Sequence, residues 1–358
     1  MNARIALILV VLLIVVGGAA VLIQQRSAPG APAAAVGQPL LRNLKAADVA
    51  AVAIRTPKDA LTIERKGERW VIAERDGFPA DFAKVRDFVI KATGLKIGLA
   101  DEAGEKDRAR LRLDASGTRI EFRGADGKPL AALVAGKKYF KTEPDNPDKA
   151  VGDGRYVALA GGEKRGDNQV YLISDPLTEA STKSADWIDH AGFAAEKVKA
   201  LEVRYPDGAG NYRIERSGDN ADWKFSGGGE KLDAPKANAA AYSLSLIELA
   251  DVAPKDAKPE DTGLDKPTVV TATTFDDLSY TLKVGKLQDG NYYASVAIAG
   301  EPKPEGKDAE ERSKKLAERL PREKNLERYT LLIPKTKLED TLKKRSELLP
   351  AKEDSKKK

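Results

Sequence analysis

One stretch of this chain occurs twice, and the repeat limits the possible folds more than any single motif does. The first copy opens at Leu44 with LKAADVAAVAIRTPKDALTIERKGERWVI. The second opens at Phe193 with FAAEKVKALEVRYPDGAGNYRIERSGDNADWKF. Val49, Val52 and Ile54 align with Val198, Leu201 and Val203, the stretch from Thr62 to Arg65 with that from Arg213 to Arg216, and Trp70 with Trp223. The extra residues of the second copy fall at Pro206-Asp207-Gly208 and Gly218-Asp219-Asn220, where turns are expected. Insertions confined to turns between matching strands are what a structural repeat requires.

The local pattern gives each copy its elements. Val52 and Ile54, then Leu61 and Ile63, alternate with polar residues, the period of half-buried strands. Three short strands therefore form a meander whose third strand carries a Trp. Phe78-Pro79-Ala80-Asp81 then leads into Phe82, Val85, Phe88 and Val89 at helical spacing, and Leu232-Asp233-Ala234-Pro235 leads into Ala241, Leu244 and Ile247. Further strands are expected at 119–122, 130–134 and 138–141, and in the second copy at 269–273, 280–284 and 292–296. Each copy should close on a strand and a helix: 170–173 into 175–189, and 329–333 into 335–349. The charge-rich stretch 301–325, present only in the second copy, reads as a mobile loop with a helical turn or two. The fold class expected is α+β, with two tandem, strand-rich units at 44–191 and 192–350, helices packed on them and Trp70 and Trp223 buried equivalently.

Ahead of the repeat, Ile5 to Ile23 is a run of 19 residues without a charge. As a helix it would span about 28 Å, close to the hydrocarbon thickness of a bilayer. Signal-peptide cores are shorter, about 7–15 residues, so an uncleaved anchor over 1–26 is expected. The Ala-rich stretch from Ala31 to Ala35 offers small residues to a peptidase but lies well beyond the run. Residues 27–43, rich in Ala, Pro and Gly, read as a linker. Flanking positive charges are nearly balanced, but a short tail ahead of a large domain favours the tail inside and the domain outside. The expected location is thus a bacterial inner membrane with the soluble part in the periplasm, the partner of residues 5–23 being lipid. Of the formal +5, Arg4 and Arg26 belong to the anchor, leaving +3. That mixed charge does not suit nucleic acid, which wants a clustered basic face; the basic tail 351–358 reads as a solvated terminus.

Chemistry is sparsely signalled. The chain has no cysteine and one histidine, His190, which excludes disulfides, thiolate metal sites and multi-histidine metal sites. His190 follows Trp187-Ile188-Asp189 near the end of an expected helix, where the macrodipole favours it. Gly152-Asp153-Gly154 and Gly227-Gly228-Gly229 lack the residues of a phosphate-binding loop. Asp145-Asn146-Pro147-Asp148 lacks the Gly and distal Glu of a calcium loop, and Asp276-Asp277 reads as a solvated turn. No catalytic, cofactor-binding or metal residue is assigned, and no cofactor. Trp70, Trp187 and Trp223, with Tyr139-Phe140 and Tyr292-Tyr293, could line a glycan or peptide groove, but their recurrence in both copies favours the core.

Gly67-Glu68-Arg69-Trp70, Phe78-Pro79-Ala80-Asp81, Gly263-Leu264-Asp265 and Asn291-Tyr292-Tyr293, behind an N-terminal apolar segment, resemble the bacterial proteins that carry domain of unknown function 4340. The resemblance runs over about residues 44–350. The first copy departs from Gly-Leu-Asp, reading Leu111-Arg112-Leu113-Asp114. The resemblance implies an envelope protein attending a gliding-motility-type ABC transporter, and it carries over no active-site residue. The function expected is a non-catalytic, membrane-anchored periplasmic accessory or scaffold; the alternative is an envelope glycan- or peptidoglycan-binding module.

Overall fold

The computed structural model describes residues 36–160, 168–306 and 308–351. The apolar run 5–23, most of the linker and the basic tail lie outside them. No helix among the described residues is long and apolar enough to cross a membrane. The chain divides into two compact units. One comprises the described chain up to Ala60 together with Arg86–Thr182; the other comprises Leu61–Val85 together with the described chain from Lys183 on. Leu61–Val85 therefore belongs to the first repeat by sequence and to the second unit by packing. The contacts responsible are specific: the Phe78 ring meets Tyr329 edge-on at 4.9 Å, and the Asp81 amide donates to the Trp187 carbonyl at 2.7 Å.

The fold is mixed α/β with antiparallel sheets. In the first repeat the strands are β1 (Ala51–Arg55), β2 (Ala60–Lys66), β3 (Arg69–Ile72), β4 (Phe78–Pro79), β5 (Ile97–Glu102), β6 (Thr118–Arg123), β7 (Pro129–Tyr139), β8 (Gly154–Leu159) and β9 (Gln169–Ile173). In the second they are β10 (Val198–Arg204), β11 (Tyr212–Glu215), β12 (Lys224–Phe225), β13 (Asp251–Val252), β14 (Thr268–Thr274), β15 (Ser279–Gln288), β16 (Asn291–Ala299) and β17 (Leu331–Pro334). Within the first unit the neighbours run β1-β6-β7-β8-β9-β5. Within the second they run β10-β14-β15-β16-β17-β13. The two orders are the same strand for strand, so the repeat read from sequence is one topology used twice.

Register carries the match to single residues. β7 pairs with β8 through Lys138↔Arg155 after an irregularity beyond Ala135. β15 pairs with β16 through Leu287↔Tyr292 after an irregularity beyond Val284. The residues expected inside are inside: Val52, Ile54, Leu201 and Val203 are fully buried. The helix Phe82–Thr93 forms as expected, turning Val85, Phe88 and Val89 inward, with the Phe88 ring stacked 6.1 Å from Phe122 of β6. Phe82, counted with that stripe, is exposed. Its counterpart, Ala234–Tyr242, starts where Asp233 and Pro235 predict, the Asp233 side chain accepting from the Lys236 amide.

Four expectations need correction. Residues 130–134 and 138–141 are not two strands; the single strand β7 covers the first and ends at Tyr139, within the second. No α-helix occupies 175–189, which holds only a short 3₁₀ turn at Ser184–Asp186. There the Asp175 carboxylate captures the Leu177 amide at 2.7 Å, and Leu177 adopts a left-handed φ of 49°, so the helix cannot start. Residues 335–349 form the four-residue helix Lys335–Leu338 and a 3₁₀ turn at Arg345–Leu348. The Tyr212 and Tyr205 hydroxyls donate to the Thr341 and Leu342 carbonyls, at 2.6 and 2.5 Å. Those tertiary bonds take carbonyls that a longer helix would need.

The fourth correction is the charged stretch. Most of it is the 17-residue helix Ala309–Asn325. Leu316, Leu320 and Glu323 share its buried face, and exposed Glu310–Lys314 and Glu311–Lys315 pairs run along the outside. Glu323 is wholly buried. Its carboxylate accepts from the Ala194 amide at 3.0 Å and the Tyr280 hydroxyl at 3.1 Å, and lies 3.0 Å from Arg319 Nε. Burial pushes its carboxyl up from the usual range, against the opposing pull of Arg319. A raised folded-state value stabilises the fold fully below the unfolded value, near 4.5, and the contribution is lost as pH rises through the folded value. E323Q keeps a neutral hydrogen-bonding group at this position. Chemical denaturation from pH 4 upward should show wild type losing stability relative to E323Q as pH rises; parallel curves would contradict the assignment.

Candidate functional site

The second unit holds a cleft of about 770 Å³ between the start of β10, the turn around Trp223 and the helix Ala234–Tyr242. Local backbone places each wall. Lys197 takes a left-handed φ of 50°, and its carbonyl accepts from the Phe275 amide at 3.0 Å. Arg216, directly after β11, donates its amide to the Lys199 carbonyl at 3.0 Å. Trp223 directly precedes β12.

Arg216 is the centre of this wall. Its guanidinium lies 4.9 Å from the Trp223 ring and 5.6 Å from the Phe275 ring, a favourable cation–π arrangement where water is partly excluded. Nε donates to the Val198 carbonyl at 2.8 Å and Nη2 to the Asp219 carboxylate at 2.8 Å; Nη1 donates to the Asp219 carbonyl. Every nitrogen of the group is therefore occupied. Trp223 is 7% exposed, and its indole N–H donates to Asn238 Oδ1 at 2.9 Å. The open side is formed by Tyr242 and Leu246, 78% and 63% exposed. Ser245, also at the lip, donates its hydroxyl to the Tyr242 carbonyl at 2.7 Å. The cleft presents apolar surface, and its polar groups serve the fold.

The other residues singled out from sequence are scattered. Trp187 is buried, and Trp70 is half-buried in β3, so the two repeat Trp residues are not equally covered although both stand opposite an Arg, Arg65 and Arg216. His190 sits in a loop, with Nδ1 2.7 Å from the Leu249 carbonyl; no helix end is involved. Asp276 is buried and paired with Arg312, not solvated. Asp153 accepts from the Lys141 amide, and all three residues of Gly227-Gly228-Gly229 have positive φ, a turn between β12 and the next helix. Tyr139-Phe140 and Tyr292-Tyr293 are not counterparts: by register Tyr292 and Tyr293 correspond to Arg155 and Tyr156. Among the described residues no group of three or more His, Asp or Glu could hold a metal ion.

The topology and register define an internally duplicated α+β protein built on antiparallel sheets. The chain belongs to the family described as domain of unknown function DUF4340, whose model matches residues 70–267. No curated protein and no solved structure matches it.

The Trp223 wall gives a direct test. Trp223→Ala removes a covered ring, for which truncation costs about 3–5 kcal/mol. Trp70→Ala, at a half-buried site, should cost clearly less. Thermal denaturation of both variants checks the order; equal or reversed losses would contradict it.

Proposed function

We propose that this protein is a membrane-anchored, non-catalytic accessory or scaffold of the bacterial envelope, its duplicated domain in the periplasm and its partner an ABC-type transport system. The observation that carries the reading is the uncharged 19-residue run, followed by an Ala-, Pro- and Gly-rich linker and then by two copies of one sheet. Such an order tethers a duplicated domain to a bilayer through a short linker. The chemistry of the Trp223 cleft supports it: Arg216 and Ser245 are engaged in holding the fold, and the exposed lip of Tyr242 and Leu246 suits contact with a partner.

Two measurements test the proposal. A periplasm-active phosphatase reporter fused after Lys358 should be active in cells, and its cytoplasm-active counterpart silent. The tagged full chain, purified from detergent-solubilised membranes, should bring down transporter subunits. A reversed reporter pattern would overturn the topology, and recovery of the chain without any transporter subunit would overturn the partnership.

A further inference from the structure

The first unit contains a second cavity, about 640 Å³, beneath the end of β7 and the start of β8. Four cations line it: Arg112, Lys137, Lys138 and Arg155. Two exposed carboxylates, Glu143 and Asp148, also reach it. Among the described residues none of the four cations forms an ion pair with a carboxylate. Arg155 is held by carbonyls: Nε donates to Gly136 at 2.9 Å, and Nη1 to Pro176 at 2.9 Å and Leu177 at 3.3 Å. Among the described residues its Nη2 takes no partner. Lys138 Nζ donates to the carbonyls of Asp148 at 3.0 Å and Ala150 at 2.7 Å, fixing the loop that closes one side. Burial already works against the charge on Arg155, pulling its pKa down. Tyr139 and Tyr156, edge to face at 6.1 Å, supply a ring-lined wall.

The second repeat is an internal control. The Leu113 amide donates to the Arg108 carbonyl at 2.8 Å, and the Leu264 amide to the Pro259 carbonyl at 2.9 Å, so Arg112 corresponds to Gly263. Gly263 has φ 74°, and Arg112 holds the same left-handed conformation at φ 56°. That conformation suits glycine and disfavours a side chain. By register Arg155 corresponds to Tyr292 and Lys138 to Leu287. Three positions that are uncharged in one copy are thus cationic in the other, and all three line one cavity. Residues held in sparsely populated backbone regions cluster at binding and active sites.

We propose that this cavity binds a compact organic anion, a sugar-sized ring bearing a carboxylate or phosphate, through Arg112 and the free Nη2 of Arg155. A planar guanidinium matches either oxyanion, and the volume lies within the range of small-ligand sites. The tyrosines would take the ring. The inference does not depend on the accessory role.

Calorimetric titration of the full chain in detergent tests it, with glucuronate, glucose 1-phosphate, inorganic phosphate and neutral glucose as probes. At least one ring-bearing anion should bind saturably and more tightly than inorganic phosphate, glucose should not bind, and added salt should weaken the binding. The better of glucuronate and glucose 1-phosphate tells which oxyanion is preferred. R112G, which restores the residue of the other repeat, should weaken binding at least tenfold while leaving the melting temperature unchanged or higher. R155Y should do the same to binding; should it fail to fold, R112G decides alone. Absence of saturable binding by both ring anions, or unchanged affinity in R112G, would overturn the proposal.

Discussion

In each repeat a long strand bends where a glycine lets another stretch of backbone come against it. A Cβ on Gly136 would lie 2.2 Å from the Leu111 carbonyl oxygen, and one on Gly285 would lie 2.2 Å from the Thr262 carbonyl oxygen. Neither oxygen is the end of a flexible side chain, so no other residue fits without moving backbone. From this contact the neighbouring features follow. The strand register slips directly after each glycine. The short helices Glu105–Arg110 and Pro259–Thr262 are pinned against the bend, and each must be left through one left-handed residue. At the far edge of each sheet β5 and β13 lie beside β9 and β17.

The two repeats spend this frame differently. In the second, the cleft beside Trp223 contains an arginine whose three nitrogens are all satisfied and whose faces are covered by two rings. Such a group stabilises the fold and leaves nothing over for a ligand. In the first, the cavity beneath β7 contains an arginine that among the described residues is held only by carbonyls, with one nitrogen unused. A partly buried cation without an anion is costly to keep. The contrast separates an arginine that serves the structure from one poised for something outside the chain. It also shows why aromatic content alone is a poor guide to a binding surface: Trp223 is the wall of a cleft and yet sealed, while Tyr139 and Tyr156 sit beside open charge.

Much of the frame could be read from the residues. Alternation of Val52, Ile54, Leu61 and Ile63 located the first meander, and Asp233 with Pro235 located a helix start, because those signals depend on near neighbours only. The misreadings arose where distant groups intervene. Tyr205 and Tyr212 cut short the closing helix from more than a hundred residues away. The helix Ala309–Asn325 looks like a loop by charge, and only Leu316 and Leu320, four residues apart, signalled a buried face. Of the anion cavity, one sign was visible: Leu111-Arg112-Leu113-Asp114 departs from Gly263-Leu264-Asp265 by an arginine for a glycine. Its meaning needed φ and register, since sequence cannot show that Arg112 and Arg155, 43 positions apart, face one space.

The claim on which all of this rests is that one construction is used twice. It is tested most directly by placing the same substitution at the same point of each copy and measuring the unfolding free energy. Gly136→Ala and Gly285→Ala each force a methyl group into a backbone oxygen, and each should destabilise its unit by about 1–3 kcal/mol, the scale of overpacking elsewhere. Alanine at Gly218, where an added Cβ has nothing within 4 Å and φ is not positive, serves as the control and should be nearly neutral. Comparable losses at 136 and 285 are the result expected. A loss at only one of them, or at neither, would contradict the shared construction.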